Sequence, residues 1–522
     1  MSSTLALIVL GCLSGAASVS DSPPDDAAWK TLRQQAVNRP RRVIFNNDGN
    51  EPVYFCKEAT TEELLRSRTT PLAGSQVDAI FYCTWSSGFG MFTHNTRVGQ
   101  VFNTREGVYQ SNLTQEFLDK GIDPLRVMID FAHAHRMELF WSFRVNDTHD
   151  ASGAAYGPVM LRANRLKQEH PEWLIGTKEK RPRYGQWTAV NYGVTEIRDL
   201  AFRYCEEVCT GYAVDGIELD FYRHAFFFKC SGQGAPCGEE ELTQMTDLLR
   251  RIRKMTGEMG RQRGRPILLA VRVPDSVEYC RFIGLDLERW LADGLVDLLI
   301  VSGYTQLNAW EYSVQLGHRY GAKVYPSLDE PRIRDETAQK LRASLASYRG
   351  RALNVWSSGA DGVYVFNLFD PNSPLWRELG DPAGLRKQVR NYFASIRGVG
   401  AVPIPHQKFI RIPTLNPASP IAVQPEKPAG IEFKVGEDTS AAAEHTRTGL
   451  RLRFKKLPLS QGLRVRLNGQ ELPAGVADKE WLDYPLPGAF LRQGANMLEL
   501  SCRPEQAEPL SLLDLYVRIT PP

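Results

Sequence analysis

Asp215-Gly216-Ile217-Glu218-Leu219-Asp220-Phe221-Tyr222-Arg223-His224 decides how this chain is read. The stretch is a short apolar strand that ends in a cluster of polar groups. Successive strand side chains point to opposite faces, so Gly216, Glu218, Asp220 and Tyr222 share one face and Ile217, Leu219 and Phe221 the other. Two carboxylates spaced in this way sit roughly 6–7 Å apart, twice the rise per residue. Burying like charges that close is costly unless partners or solvent compensate. A packed core has no use for such a pair, whereas a site that moves protons or stabilises a cation does.

On either side of this stretch, apolar, β-branched or aromatic runs alternate with amphipathic segments. The runs are 43–46, 79–84, 138–143, 216–220, 267–273, 298–302, 323–326 and 363–366. Continuous rather than alternating hydrophobicity predicts strands covered on both faces, as in a parallel sheet. Helical patterns lie between them at 123–136, 196–208 and 239–259, and Pro124 suits a first helical turn. Eight strand–helix units predict an α/β fold, a (β/α)8 TIM barrel over residues 41–400. A doubly wound open sheet is the alternative, but no Gly-rich phosphate loop follows the first strand.

In such a barrel the active site lies at the C-terminal strand ends. Those ends supply Asp48, Trp85, Arg144, Asn146, His149, Glu218, Asp220, Tyr222, His224, Arg272, Asp275, Tyr304, Asp329 and Glu330. The opposite ends read as poorer in polar groups, and this asymmetry favours an enzyme over a structural barrel.

After about residue 400 the composition changes. Residues 401–429 are read as a linker, with seven prolines between Pro403 and Pro428. Residues 430–522 read as short alternating strands, among them 450–454 and 463–467, with a turn at Asn468-Gly469. They predict a C-terminal all-β sandwich domain.

The chain has 522 residues and a formal net charge of +3, which gives no electrostatic case for nucleic acid. Residues 1–20 resemble an export signal, with an apolar stretch at 5–13 and small residues at 15–17, although no Lys or Arg precedes it. Residues 21–40 follow as a polar leader. The expected product is secreted or periplasmic, or a lipoprotein anchored through Cys12. No later segment reaches the ~20 apolar residues of a membrane span. Eight cysteines follow Cys12; Cys230 and Cys237 bracket a polar, turn-rich loop that an exported protein would close with a disulfide. Cys205 and Cys209, one helical turn apart, read as buried helix thiols.

The barrel resembles the glycosyl hydrolase-like family 10 group of (β/α)8 proteins. The resemblance rests on residues 124–143, on His170-Pro-Glu-Trp173, on 212–222 and on 295–304. It departs at Phe221, where the family commonly has a second Asp, and Glu218 adds an acid the family often lacks. The same strand is similar to the alpha-amylase pattern Asp-Gly-x-Arg-x-Asp-x-x-x-His, with Asp220 at the nucleophile position. Glu218 replaces that family's Arg, so this is shared barrel logic rather than membership. The C-terminal segment resembles galactose-binding-like sandwiches at Leu467-Asn468-Gly469 and 494–498.

These residues predict an exported glycoside hydrolase acting on a polysaccharide or oligosaccharide. Hydrolysis needs one carboxyl to protonate the leaving oxygen and a second to attack or to activate water. Asp220 is the expected nucleophile or base. Glu218, one layer deeper, is either an acid of raised pKa or an orienting group, the latter preferred. The donor is sought among Asp275, Glu278, Asp329 and Glu330, with Asp329 or Glu330 favoured. Asp48, Trp85, Arg144, Asn146, His149, Tyr222, His224, Arg272, Asp275 and Tyr304 are the expected sugar-binding residues. Arg144 and Arg272 need anions, found in Glu218 and Asp220 or on an acidic sugar. No metal or organic cofactor is implied, and nothing sets the oligomeric state. The alternatives are a non-catalytic carbohydrate-binding barrel and a metal-dependent hydrolase such as a deacetylase, with Asp48, Asp147, His149 and Asp220 as its metal set.

Overall fold

The computed structural model describes residues 25–397, 405–425, 427–439, 446–458, 462–503, 506 and 508–522. Residues 1–20 with Cys12, and the first part of the 401–429 linker, lie outside them. Eight parallel strands close a barrel: β1 (Val43–Asn47), β2 (Val77–Tyr82), β3 (Glu138–Arg144), β4 (Gly216–Asp220), β5 (Leu268–Val273), β6 (Leu298–Val301), β7 (Lys323–Asp329) and β8 (Val363–Phe366). They run in sequence order around the ring, and β8 closes on β1. Apolar runs fill both faces, as a sheet buried on both sides requires. Ile44, Phe81, Phe140, Leu268, Ile300, Tyr364 and Phe366 fill the lumen, and a larger cluster packs the outer strand faces against the helices.

The helices are set by local chemistry. The Asp123 side chain accepts from Leu125 N and caps helix Pro124–Ala134. Helix Glu239–Arg263 has three glutamates in its first turn and stops at Gly264, φ 69°. Its Leu242, Met245, Leu249 and Ile252 are buried on one face.

Acids also populate the N-terminal end of the barrel, contrary to the asymmetry read from the sequence. Four aspartates there each accept a backbone N–H at the start of a neighbouring strand: Asp78 from Arg42 (2.7 Å), and Asp215, Asp297 and Asp361 from Leu139, Leu269 and Val324 (2.8 Å each). Each is also paired with a cation, such as Arg265 with Asp215 at 2.6 Å. Helix Asp26–Asn38, within the stretch read as a leader, lies at this end; its Trp29 is buried and its Arg33 reaches Asp297 at 2.8 Å.

The C-terminal strands are β9 (Arg390–Phe393), β10 (Ile421–Val423), β11 (Ala429–Val435), β12 (Arg447–Phe454), β13 (Leu463–Leu467), β14 (Gln470–Glu471), β15 (Val476–Asp478), β16 (Trp481–Leu486), β17 (Gly494–Cys502) and β18 (Leu510–Thr520). One antiparallel sheet has the order β9-β18-β12-β16-β15 with β10 also on β18; the other has the order β11-β17-β13-β14. Asn468 and Gly469 form the β13–β14 turn with φ of 52° and 84°, the left-handed pair that a two-residue hairpin demands. Arg342, on helix Glu336–Ala343, makes a bidentate bridge to Asp514 of β18 at 2.6 and 2.7 Å, both side chains fully buried.

Candidate active site

Strand register assembles the site. Arg144, Asp220 and Arg272 are direct neighbours on β3, β4 and β5, and Ser142, Glu218 and Ala270 form the row beneath. The alternation that points Gly216 into the lumen points Glu218 and Asp220 there too. Gly216 has no room for a side chain, since a Cβ would lie 2.2 Å from the Phe140 ring.

Glu218 is fully buried. Its Oε2 accepts from Ser142 Oγ at 2.5 Å and from the Tyr364 hydroxyl at 3.2 Å, and its Oε1 has no hydrogen-bond partner. Burial first, and then the Asp220 charge, push its carboxyl up to about 8, so it is protonated at neutral pH. Asp220 is 2% exposed. Its Oδ1 accepts from the backbone N–H groups of Tyr222 (2.9 Å) and Arg223 (3.1 Å), and its Oδ2 lies 3.4 Å from Arg272 Nη1. With Glu218 neutral, Asp220 and Arg272 balance as one anion and one cation. Arg272 also lies 3.9 Å from the Phe366 ring centroid.

At this mouth, Tyr222, Arg223, His224, Tyr304, Thr305 and Arg332 line a cavity of about 300 Å³, together with Gln186 and Phe226. Tyr222 accepts from Thr305 N at 2.8 Å. The Tyr304 hydroxyl receives Arg223 Nη1 (2.8 Å), Arg332 Nη2 (2.9 Å) and Asn367 Nδ2 (2.8 Å). Asp220 is not among the residues that line the cavity, and it is joined to the wall through the N–H groups of Tyr222 and Arg223. His224 Nδ1 accepts from Thr148 N at 3.2 Å. Burial above all, with the Arg223 and Arg144 guanidiniums, holds its imidazole well below the usual range, against the pull of Asp147.

Backbone strain marks the same mouth. Thr84, Trp85, Ser86, His224, Ser302 and Asn367 all have positive φ, between 42° and 146°, at the C-terminal ends of β2, β4, β6 and β8. Gly49, at φ 65°, lets the loop after β1 pass against this turn; a Cβ there would meet Thr84 N at 2.4 Å.

Several residues expected at the site are engaged elsewhere. Asn146 gives its amide to Val190 O (2.9 Å) and Phe226 O (2.5 Å) and takes Val190 N (2.9 Å), so it fastens two loops. Trp85 is stacked on Phe102 at 5.2 Å in an aromatic cluster with Tyr109, away from the cavity. Asp275 accepts from Leu307 N and Asn308 N at 2.9 Å each; burial pushes it up to about 6, held back by those N–H groups. Asp329 is buried with Arg397 at 2.5 Å and lines a second cavity, of about 190 Å³, at the seam with the C-terminal strands. Glu330 pairs with Arg332 at 3.1 Å, and Glu278 with Arg411 at 3.3 Å. Asp48 is bonded to Arg144; burial opposes its charge, but Arg144, Arg68 and Arg223 together hold its pKa low. Arg332, Thr305 and Gln186 enter the cavity wall from loops that no motif marks.

Asp147, His149 and His224 offer ligand atoms within 4.8 Å of one another, a set able in principle to hold a metal. The set is closed by its own hydrogen bonds. His149 Nδ1 lies 2.7 Å from Asp147 Oδ2, and its Nε2 takes Arg223 Nη2 at 2.9 Å. Arg144, 3.5 Å from Asp147, adds a second guanidinium that opposes a cation. Cys230 and Cys237, expected as a disulfide, stand as free thiols in hydrogen-bonding contact. Among the described residues no helix is long and apolar enough to cross a membrane.

The barrel's shape is similar to that of solved carbohydrate-active enzymes, at low identity. A cycloisomaltooligosaccharide glucanotransferase from Paenibacillus sp. matches with 10% identity and a TM-score of 0.34, covering 93% of this chain. This chain spans only 57% of that protein. A family 18 N-acetylglucosaminidase from Paenibacillus barengoltzii matches with 13% identity and a TM-score of 0.36, over 66% of this chain and 99% of that one. An alpha-amylase from Anoxybacillus has 11% identity and a TM-score of 0.37, over 90% and 99%. No curated protein matches the chain. Residues 52–239, from the loop after β1 to the start of helix Glu239–Arg263, are similar to the family model described as glycosyl hydrolase-like 10.

Proposed function

We propose that the chain is a glycoside hydrolase acting on a polysaccharide or oligosaccharide, with Asp220 as nucleophile or base. The observation that carries this reading is the arrangement at one mouth of a closed barrel. An inward-facing carboxylate, held by a buried arginine, also accepts the N–H groups of two residues, Tyr222 and Arg223, that line a polar and aromatic cavity. The match of this region to a glycosyl hydrolase-like family supports it. An oxocarbenium-like transition state develops positive charge at the anomeric carbon, and Asp220 supplies the opposing charge. Neutral Glu218 leaves that charge undivided and, with Ser142 and Tyr364 fixing Glu218, positions Asp220. Residues 1–20 as an export signal complete the reading, placing the protein outside the cytoplasm, and fractionation of cells expressing the full chain tests that part.

Asp220→Asn is the decisive variant for activity. It keeps shape and loses charge, so turnover on a cleavable glycan falls by about 10²-fold or more while glycan binding persists. Unchanged turnover removes Asp220 from the chemistry. A wild type that binds glycans and cleaves none is a binding barrel instead. The cluster of Asp147, His149 and His224 favours one second reading, a metal-dependent hydrolase such as a deacetylase. Turnover that survives excess chelator rules it out.

A further inference from the structure

The cavity wall carries two arginines, Arg223 and Arg332, and a histidine, and no aspartate or glutamate. Arg223 is half-buried, and its guanidinium bonds only to Tyr304 and His149, neither of them a carboxylate, while its Nε has no partner. Among the described residues no carboxylate pairs with it. Asp48 feels its charge but is bonded to Arg144, and Asp220 takes only its backbone N–H. Arg332 stacks 3.7 Å from the Tyr304 ring centroid and shares its charge with Glu330 alone, at the rim. Both guanidiniums and the Asn367 amide aim at one phenol oxygen. That oxygen has two lone pairs for three donors, and its own O–H finds no acceptor among them. Such a convergence of donors on a neutral atom is the electrostatic setting of a bound anion.

We propose that this cavity selects sugars bearing a carboxylate or sulfate, held by Arg223, Arg332 and the Tyr304 hydroxyl. The inference rests on the glycoside hydrolase reading and names the substrate class of that same site. The anion replaces Tyr304 as the focus of the two guanidiniums. Arg223 also gives its N–H to Asp220, so an anionic group bound by Arg223 acts on a residue bonded to that carboxylate.

Calorimetric titration of the full chain with galacturonic acid, glucuronic acid, glucose 6-sulfate, methyl glucoside and inorganic sulfate tests it. An anionic sugar is expected to bind about ten-fold or more tightly than the neutral one. Arg332→Gln, at an exposed position, is expected to remove that preference. Preference for the uronic acids alone assigns a carboxylate, and preference for the 6-sulfate alone a sulfate. Equal or undetectable binding of anionic and neutral sugars overturns the proposal, as does inorganic sulfate binding as tightly as any sugar. Hydrolysis of a panel of neutral and acidic glycans separates the two readings. Cleavage of neutral glycans as fast as acidic ones sinks the anion site and leaves the hydrolase standing. Anion-selective binding with no cleavage of any glycan does the reverse.

Discussion

Glu218→Gln tests the electrostatics of the barrel lumen. The wild-type carboxyl is pushed up from 4.5 to about 8, by burial and by Asp220. Between those values the folded protein holds a proton that the unfolded chain releases. The stabilisation is therefore fully present below pH 4.5 and is lost as pH rises through 8. The slope is roughly 1.4 kcal/mol per pH unit. Over the interval from 4.5 to about 8 the total is about 5 kcal/mol. Glutamine mimics the protonated acid, since its oxygen keeps the Ser142 and Tyr364 bonds and its amide sits at the unpartnered Oε1 position. The variant lacks the slope. Urea unfolding of both proteins at pH 5, 6, 7, 8 and 9 gives a difference in which every other titration cancels. The variant should gain on wild type from pH 5 to 8 and the difference should then level off. Parallel curves across that range would show that Glu218 is ionised in the fold, and the picture of a single anion facing Arg272 would fail.

Three further outcomes follow from packing and chemistry. Arg342→Met strands Asp514 as a buried charge and should cost about 3–5 kcal/mol in urea unfolding, with Asp514→Leu in the same chain restoring most of it. Gly216→Ala drives a methyl into Phe140 and should cost about 1–3 kcal/mol, partly recovered by Phe140→Leu; a neutral Gly216→Ala would contradict the lumen packing. Half-buried Cys230 and Cys237, free thiols in the fold, should react with a thiol label in the folded protein, while fully buried Cys205, Cys209 and Cys280 stay unreactive until unfolding.

The barrel was legible because strands buried on both faces leave an unbroken apolar record, and β4 and β8 fall where that record places them. The misses have physical causes. Strand β7 runs on through Pro326 to Asp329, although proline lacks a ladder donor. Pro326 sits opposite Val301, the last residue of β6, where that ladder ends, and the remaining residues pair with β8 alone. Strand β9 is four residues whose partner, β18, lies more than a hundred residues downstream, a pairing that no local pattern encodes.

The site was legible only in part, because residue type does not reveal what a carboxylate is doing. Asp215, just before β4, and Asp220, its last residue, stand five residues apart and look alike in sequence. Asp215 accepts a strand N–H and is paired with Arg265 and His133 at the barrel floor, as Asp78, Asp297 and Asp361 are with their own partners. Those four hold strands in register, which is why acids at the N-terminal end carry no chemistry. Asp220 is also bonded, but its partners are the N–H groups of Tyr222 and Arg223, two residues that line the cavity. Any ligand that moves Arg223 therefore alters the bonding of Asp220, whereas nothing in the cavity touches Asp215. What separates Asp220, the proposed functional acid, from the structural Asp215 is thus its attachment to the cavity wall, and attachment of that kind is a property of register and loop path rather than of residue identity.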